Sequence, residues 1–512
     1  MMGTNNKTIA KNTLLLYFRM VVTMIISLYT SRVVLQILGV DDFGIYQAVG
    51  GIVGFLSFIN NALATGSSRF LTYGLGEGNL EKLKKVFSTV LTAHIGLALI
   101  IVVIAETAGL WFLYNKLVIP EGRLEAAIYT FHISILTAFF TLTQIPYNAT
   151  IIAHEKMNIY AYMSIVDAVL KLLIVYMLAI GGIDKLKLYA TLLCFLQVGI
   201  MTFYRLYCSK RFQEAKFRIY FEKKIFCEIA AFSGWSLFAQ TSIALNNQGV
   251  LLLLNMFFSP AVVAARAISI QVNMHAHQLV SNFQTAAVPQ IVKRYAAKDY
   301  EGSKNLLLLT CKFSYYLMLC ISLPVCLVAK DLLNLWLGVV PNYTVIFLQI
   351  IIVQTLFQIF DTTFYYALYA KGQLRENALI SPTLGFIQFP IVYFLFKNGY
   401  SPVALSWASF IVYAILGFIV KPILVTKIVN YKWSDIFSTY YPCFKVTIGS
   451  LPIPLVVYFF VSDFQSPFLT ILIISIFSVA SVMCSCWIFG LSTSEKIKLV
   501  EVIRSKWCLF TK

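Results

Sequence analysis

Two arginines, Arg19 and Arg32, lie inside the apolar segment Asn12–Leu38, which is long enough to cross a bilayer. An arginine at the centre of an inserted helix costs about 2.5–3.5 kcal/mol, so it turns toward protein or water rather than lipid. A guanidinium in such an interior offers paired N–H donors that match a phosphate. Arg32 lies about six residues from the outer end of its segment, and Arg266 about one turn inside the outer end of the apolar segment 262–290. The two are therefore expected at similar depth, one from each half of the chain. Arg19 and Arg69 are expected to offer charge on the inner side. The competing reading is snorkelling to lipid headgroups, which suits Arg69 best and Arg32 least. Arg19 and Arg32 are 13 residues apart, about 20 Å along a helix and on different faces, so they do not form one site.

Further polar groups fall into faces at helical spacing. Arg266, Asn273, His277 and Gln284 recur at +7, +11 and +18, all within about 20° of one line at 100° per residue. Gln271, His275, Gln278 and Asn282 form a second stripe on the opposite side. A helix polar on two faces is expected to line a cavity with one and bond neighbouring helices with the other. The alternative is that every group is satisfied inside the bundle. Gln354, Gln358, Asp361 and Tyr365 share a face of segment 342–369, and Thr137, Thr141, Gln144 and Asn148 share one of segment 126–152. Asp361 is a candidate for coupling H+ or Na+, because burial moves a carboxyl toward the working range; the bland alternative is an Asp that fixes helix contacts. Asp167 and Lys171 stand at i,i+4, where opposite charges meet on one helix face. They are also coupling candidates, with a structural pair as the competing reading. His94, Glu106 and His132 are further candidates for proton relay, but each stands alone in sequence, and a satisfied core histidine is the default reading.

These groups need membrane helices to hold them. The chain has 512 residues, 59% hydrophobic and 12% charged, with a mean hydropathy of +0.79. A soluble domain could not bury that much apolar surface. Windows of about 20 residues predict an all-α polytopic membrane protein with fourteen spans, near 12–38, 44–70, 86–114, 126–152, 159–181, 187–207, 227–257, 262–290, 306–329, 342–369, 377–397, 402–428, 441–461 and 467–491. Lys and Arg concentrate in alternate connections, such as Lys82 to Lys85, Lys210 to Lys224, Lys293 to Lys304 and Lys496 to Lys506. The positive-inside rule then places both termini in the cytoplasm. The net charge of +18 follows from that topology and from anionic lipid, so nucleic acid is not an expected partner. The first segment is too long for a cleavable signal and reads as a retained anchor. The chain contains no CxxC, HExxH or GxxxxGK[ST], so no resident metal, nucleotide or other cofactor is expected.

The polar stretch Lys210–Lys224 divides the chain, and the two sides correspond at an offset of about 220 residues. The expected organisation is two pseudo-symmetric six-helix halves, 1–208 and 227–428, joined by a cytoplasmic linker over 209–226. Two additional helices over 429–491 and an amphipathic tail over 492–512 complete it. An even number of spans per half makes the repeat parallel, an arrangement in which transporters bind substrate between the halves.

The run Asn12–Val53, ending LGVDDFGIYQAVGGIV, and the segment Ile151–Tyr176 resemble Wzx-type polysaccharide and O-antigen flippases, in the polysaccharide-transport branch of the multidrug/oligosaccharidyl-lipid/polysaccharide superfamily. The resemblance covers essentially the whole chain. It implies movement of an undecaprenyl-diphosphate-linked oligosaccharide across a bacterial inner membrane, by alternating access and coupled to an ion gradient, for surface polysaccharide or lipopolysaccharide biosynthesis. A glycan polymerase or assembly machinery is the implied partner. On this reading the arginines suit the diphosphate, Gln144, Asn247, Asn273 and Gln358 suit sugar hydroxyls, and Tyr365 and Tyr366 stack on sugar rings, with His277 and Gln284 as further substrate-binding candidates. The alternatives are a multidrug or metabolite exporter of the same superfamily and a lipid II flippase. A membrane polysaccharide polymerase is disfavoured, because enzymes of that kind place catalytic groups in a substantial outer loop. Here the longest such loop, around Asn115–Glu125, is scarcely a dozen residues.

Overall fold

The computed structural model describes residues 2–56, 67, 70–71, 74–75, 79–154, 156–178, 182, 184–216, 220–228, 238, 241–242, 244–373, 375–461, 466–493 and 495–497, with 2–19, 55–56, 157, 160–161, 247, 285–286 and 289 described by backbone alone. Among these residues the secondary structure is helical, without a strand. The apolar windows appear in chain order as α1 Met2–Leu38, α2 Val40–Leu56, α3 Leu80–Lys116, α4 Leu124–Ala153, α5 Met157–Met177, α6 Lys185–Arg211 and α7 Val250–Phe257. They continue as α8 Pro260–Ala296, α9 Tyr300–Leu327, α10 Thr344–Lys371, α11 Arg375–Lys397, α12 Ala404–Val429, α13 Trp433–Val461 and α14 Pro467–Gly490. Described in this way, α2 and α7 cover part of their predicted spans. Ten of the helices are long and apolar enough to cross a membrane. This is a multi-pass membrane protein.

Local chemistry sets where these helices begin and end. The side chains of Asn79, Asp184 and Asp299 accept hydrogen bonds from the first free amides of α3, α6 and α9, which otherwise lack intrahelical partners. Gly39, at φ +81°, turns the chain from α1 into α2, and Gly372, at φ +77°, ends α10. Both sit in the left-handed region that glycine enters without strain.

The described chain forms two compact units. The first comprises residues 1–267, 337–342 and 385–402, and the second comprises 268–336, 343–384 and 403–512. In the first unit α4 packs on α3 and α6, α1 on α5, and α2 on α4. Phe131, Ile135, Ile45 and Leu113 fill one core there, and Phe87, Tyr147 and Tyr204 another. The expected linker begins inside the second of these cores: Phe212 and Ala215 are buried in it, and residues 217–219 lie outside the described set.

In the second unit α9 packs on α10, α13 and α14, and α10 also packs on α12. Its core is a stack of aromatic rings in which Tyr315 lies against Phe360, and Phe360 against Tyr440 and Phe418. The two additional C-terminal helices are part of this packing. Tyr315 meets Thr447 of α13 at 2.9 Å, Tyr316 donates to the Gly490 carbonyl of α14, and Ser481 of α14 donates to the Ser450 carbonyl of α13. Their outer faces carry Ile448, Phe459 and Phe460 exposed, which suits hydrocarbon and not water.

Candidate functional site: a polar seam on α10

The densest polar constellation of the second unit surrounds α10. On one side α8 bonds to it: the Asn273 side chain accepts from Thr355 at 2.6 Å, and the Gln284 amide donates to Thr363 at 2.8 Å while accepting from Thr362 at 3.3 Å. Of the two stripes on α8, the one carrying Asn273 and Gln284 therefore binds helix to helix. Gln284 is buried, with its amide committed. On the second stripe Gln278 donates to Asn282, both on α8.

Another face of α10 carries Gln358, Asp361 and Tyr365, all half-buried. Asp361 is not solitary, because Lys421 of α12 reaches it at 3.1 Å. The Lys421 side chain is only 3% exposed and Asp361 17%. Lys421 also donates to the side-chain Oδ1 of Asn377 on α11, which accepts from Ser381 as well at 3.2 Å, and its ammonium lies 5.6 Å from the Tyr365 ring centre. Sequence explains how the lysine gets there. Gly417 brings α12 so close to α10 that an added Cβ would lie 2.6 Å from the Phe357 carbonyl oxygen. The π-helical turn Leu416–Val420 immediately precedes Lys421, and such a turn changes the direction in which the next side chains point.

Neither charge would be tolerated alone at this depth, and together they are neutral. On α8 and α10, His275 Nε2, His277 Nε2 and Gln354 Oε1 are buried without a hydrogen bond among the described residues. Buried polar atoms are ordinarily paired, so these helices have hydrogen-bonding capacity left over. Tyr365, with Tyr366 and Tyr369 at centroid distances of 5.9 and 6.2 Å, adds ring faces along α10.

The other candidates lie in the first unit. Arg32 is half-buried on α1, and Arg266 is buried near the start of α8, 4% exposed. Arg19 belongs to α1 but only its backbone is described, and Arg69 lies outside the described residues. Gln144 accepts from Gln197 of α6 at 2.8 Å and turns its amide toward Asn148. Asp167 and Lys171 meet at 2.7 Å, as their spacing requires, and neutralise each other on α5.

Two pairings could not be read from sequence spacing. Glu106 of α3 and His132 of α4 share a hydrogen bond of 2.9 Å. Arg123, in the connection before α4, grips two carboxylates at once: Asp42 through Nε at 2.8 Å and Nη2 at 2.5 Å, and Asp184 through Nη1 at 2.5 Å. Burial raises the Asp42 pKa and outweighs the hydrogen bonds from Arg123. At Asp184 burial is the largest single influence, yet the Arg123 and backbone hydrogen bonds together win and lower it. Lys421 and Asn377 are the residues of the seam that sequence reasoning passes over. Lys421 stands alone in an apolar stretch and Asn377 follows Arg375 and Glu376 at the start of α11; only the fold brings Lys421 to Asp361 and Asn377 to Lys421.

The MatE family model matches residues 16–177. No curated protein matches the chain. Among solved structures, the lipid II flippase MurJ in an inward closed conformation is similar with a TM-score of 0.71 at 12% identity, covering 94% of this chain and 98% of that one. An inward-facing multidrug resistance MATE family transporter of the MOP superfamily gives 0.67 at 15% identity, over 81% of this chain and 99% of that one. The MATE multidrug transporter DinF-BH, solved as a complex, gives 0.61 at 18% identity, over 83% and 96%. A MatE segment at residues 16–177 thus stands within a chain that shares the fold of MATE and MurJ proteins.

Proposed function

We propose that the protein is a secondary transporter of the flippase kind, moving an undecaprenyl-diphosphate-linked oligosaccharide from the inner to the outer leaflet of a bacterial inner membrane by alternating access. The observation that carries this over a drug exporter is how far the structural likeness extends. The MurJ structure covers 94% of the chain, while the two MATE structures cover 81% and 83%. The remaining 6%, about 31 residues, is shorter than Trp433–Gly490, so the likeness to a lipid-linked glycan flippase reaches into the C-terminal pair. Arg32 and Arg266 supply charge for a diphosphate. Gln358, His277 and the tyrosines of α10 supply hydrogen bonds and ring faces for sugars. Coupling to H+ or Na+ is assigned to Asp361, whose availability is governed by Lys421.

The MatE match at residues 16–177 favours a multidrug or metabolite exporter as the second reading. Reconstitution separates them. In proteoliposomes the purified protein is expected to expose an undecaprenyl-diphosphate-linked oligosaccharide to an externally added glycan-cleaving enzyme, and to leave uptake of a cationic rhodamine dye at the level of empty vesicles. Dye transport without glycan exposure would overturn the flippase reading.

A further inference from the structure

The first unit holds a second ionisable constellation unrelated to the seam on α10. Glu106 sits in the π-helical turn Ala105–Gly109 of α3, and its Oε1 lies 2.9 Å from His132 Nδ1 on α4. The two helices touch closely beside it: a Cβ on Gly109 would come within 3.0 Å of Phe131 and 3.3 Å of Ile52. That contact fixes the backbone on both sides of the pair. Neither side chain is sealed, with His132 44% and Glu106 37% exposed. Among the described residues His132 Nε2 makes no hydrogen bond. The surroundings on the same faces are apolar, with Leu99, Val103 and Leu136 exposed.

Glu106 is ten residues from Lys116 and His132 eight from Leu124, which puts them about 15 and 12 Å from those helix ends. Several other ionisable groups on α3, α4 and the helices packed against them are engaged elsewhere. Tyr46 of α2 lies edge-on against Tyr189 of α6, Lys187 of α6 pairs with Glu125, Tyr129 bonds to Thr191, and Asp167 of α5 pairs with Lys171. Asp42 of α2 belongs to Arg123, His154 of α4 to Glu214, and His94 is buried 3.3 Å from Ser67. Among the described residues, the side-chain hydrogen bond of the Glu106 carboxylate is the one it shares with His132.

We propose that Glu106 and His132 form a single-proton site that couples a proton to the movement of this unit, an inference that rests on the transport reading above. The chemistry is a proton transfer only. A proton from water adds to the pair, converting carboxylate plus neutral imidazole, net charge −1, into carboxylate plus imidazolium, net charge 0. Nδ1–H then donates to Oε1, and Nε2–H faces outward. Facing hydrocarbon, the pair is stable only in the neutral, loaded form. It releases the proton only when water reaches its face, so occupancy follows hydration of that side of the unit.

The test uses the full-length protein. In proteoliposomes carrying undecaprenyl-diphosphate-linked oligosaccharide, E106Q and H132N are expected to lose at least tenfold of the acceleration that an imposed pH gradient gives the wild type. T107A, at the neighbouring exposed threonine, keeps it. E106Q retains a hydrogen-bonding side chain, so an undiminished gradient response in that variant would overturn the proposal in favour of a merely structural bond. Failure of the wild type to move the glycan would fall on the flippase reading alone. The site is then read directly from pyranine-reported proton uptake by detergent-purified protein stepped from pH 8 to pH 5. The wild type is expected to take up about one proton more than E106Q/H132N, and equal uptake would overturn the site.

Discussion

At the scale of single residues, the pairing of Asp361 with Lys421 changes how the most suggestive carboxylate must be tested. Removing one partner of a buried ion pair strands the other charge and costs about 3–5 kcal/mol. Both side chains are less than a fifth exposed, so D361N and K421M are each expected to lower the thermal midpoint and the membrane abundance of the protein. D361N/K421M is expected to recover most of both, measured by a fluorescence thermal shift in detergent. If the pair couples an ion, the double variant still shows a flat response of transport to pH and Na+. A normal response in a well-folded double variant would remove Asp361 from the mechanism. Arg32→Ala is expected to abolish glycan export at wild-type abundance, and Arg32→Lys to retain part of it, since lysine keeps the charge and loses the planar fork. Wild-type export by Arg32→Ala would remove the diphosphate role. Arg266, more deeply buried, calls for the same comparison with abundance measured alongside. The types of residue at this site were legible because intramembrane charge is rare. Their partners were not: Asp361 and Lys421 are 60 positions apart, and no periodicity connects two helices.

At the scale of elements, hydropathy windows located every labelled helix, because a bilayer imposes one length on all of them. Interruptions within the helices were invisible to the same windows. The π-helical turns at Ala105–Gly109 and Leu416–Val420 insert a residue without altering composition, and they carry Glu106 and precede Lys421. The connections were equally opaque. Arg123 clamps Asp42, at the start of α2, to Asp184, the cap of α6, and so ties three connections of the first unit together. Arg123→Ala leaves two carboxylates with no cation between them and is expected to destabilise the unit by about 1.5–3 kcal/mol at pH 7. The pH dependence follows from the two shifts. Asp184 is lowered in the folded protein, so its stabilisation is present above the ordinary carboxylate value near 3.8 and is lost as pH falls through the folded value. Asp42 is raised, so its ionised form costs stability at neutral pH and acidification relieves that cost. The deficit of Arg123→Ala relative to wild type is thus expected to be largest at neutral pH and to shrink on acidification below about pH 4, as carboxylates protonate. Thermal unfolding at pH 7 and pH 3 measures it, and a deficit independent of pH would deny the clamp its electrostatic character.

At the scale of the whole molecule, fold class was readable from composition and span count alone, whereas the role of the last two helices was not. Their predicted spans, 441–461 and 467–491, are apolar apart from Lys445 near one end, which is equally compatible with packing elements and with walls of a lipid-accessible groove. The structure gives them a packing role: Tyr315, Tyr316 and Leu319 of α9 are buried, with the two tyrosines bonded to α13 and α14. Lys312 of α9 also pairs at 2.6 Å with Glu495 just beyond α14. A chain ending at Asn430 would therefore not behave as a smaller transporter of twelve spans. It would expose the α9 face to lipid with polar hydroxyls that have lost their partners, in a solvent that offers none. Truncation after Asn430 is expected to reduce membrane abundance several-fold and to make the second unit protease-sensitive. Supplying residues 431–512 as a separate chain is expected to restore both. A truncated protein of normal abundance and normal glycan export would show instead that α13 and α14 only decorate the fold, and would remove the extent of the MurJ likeness as support for the flippase reading.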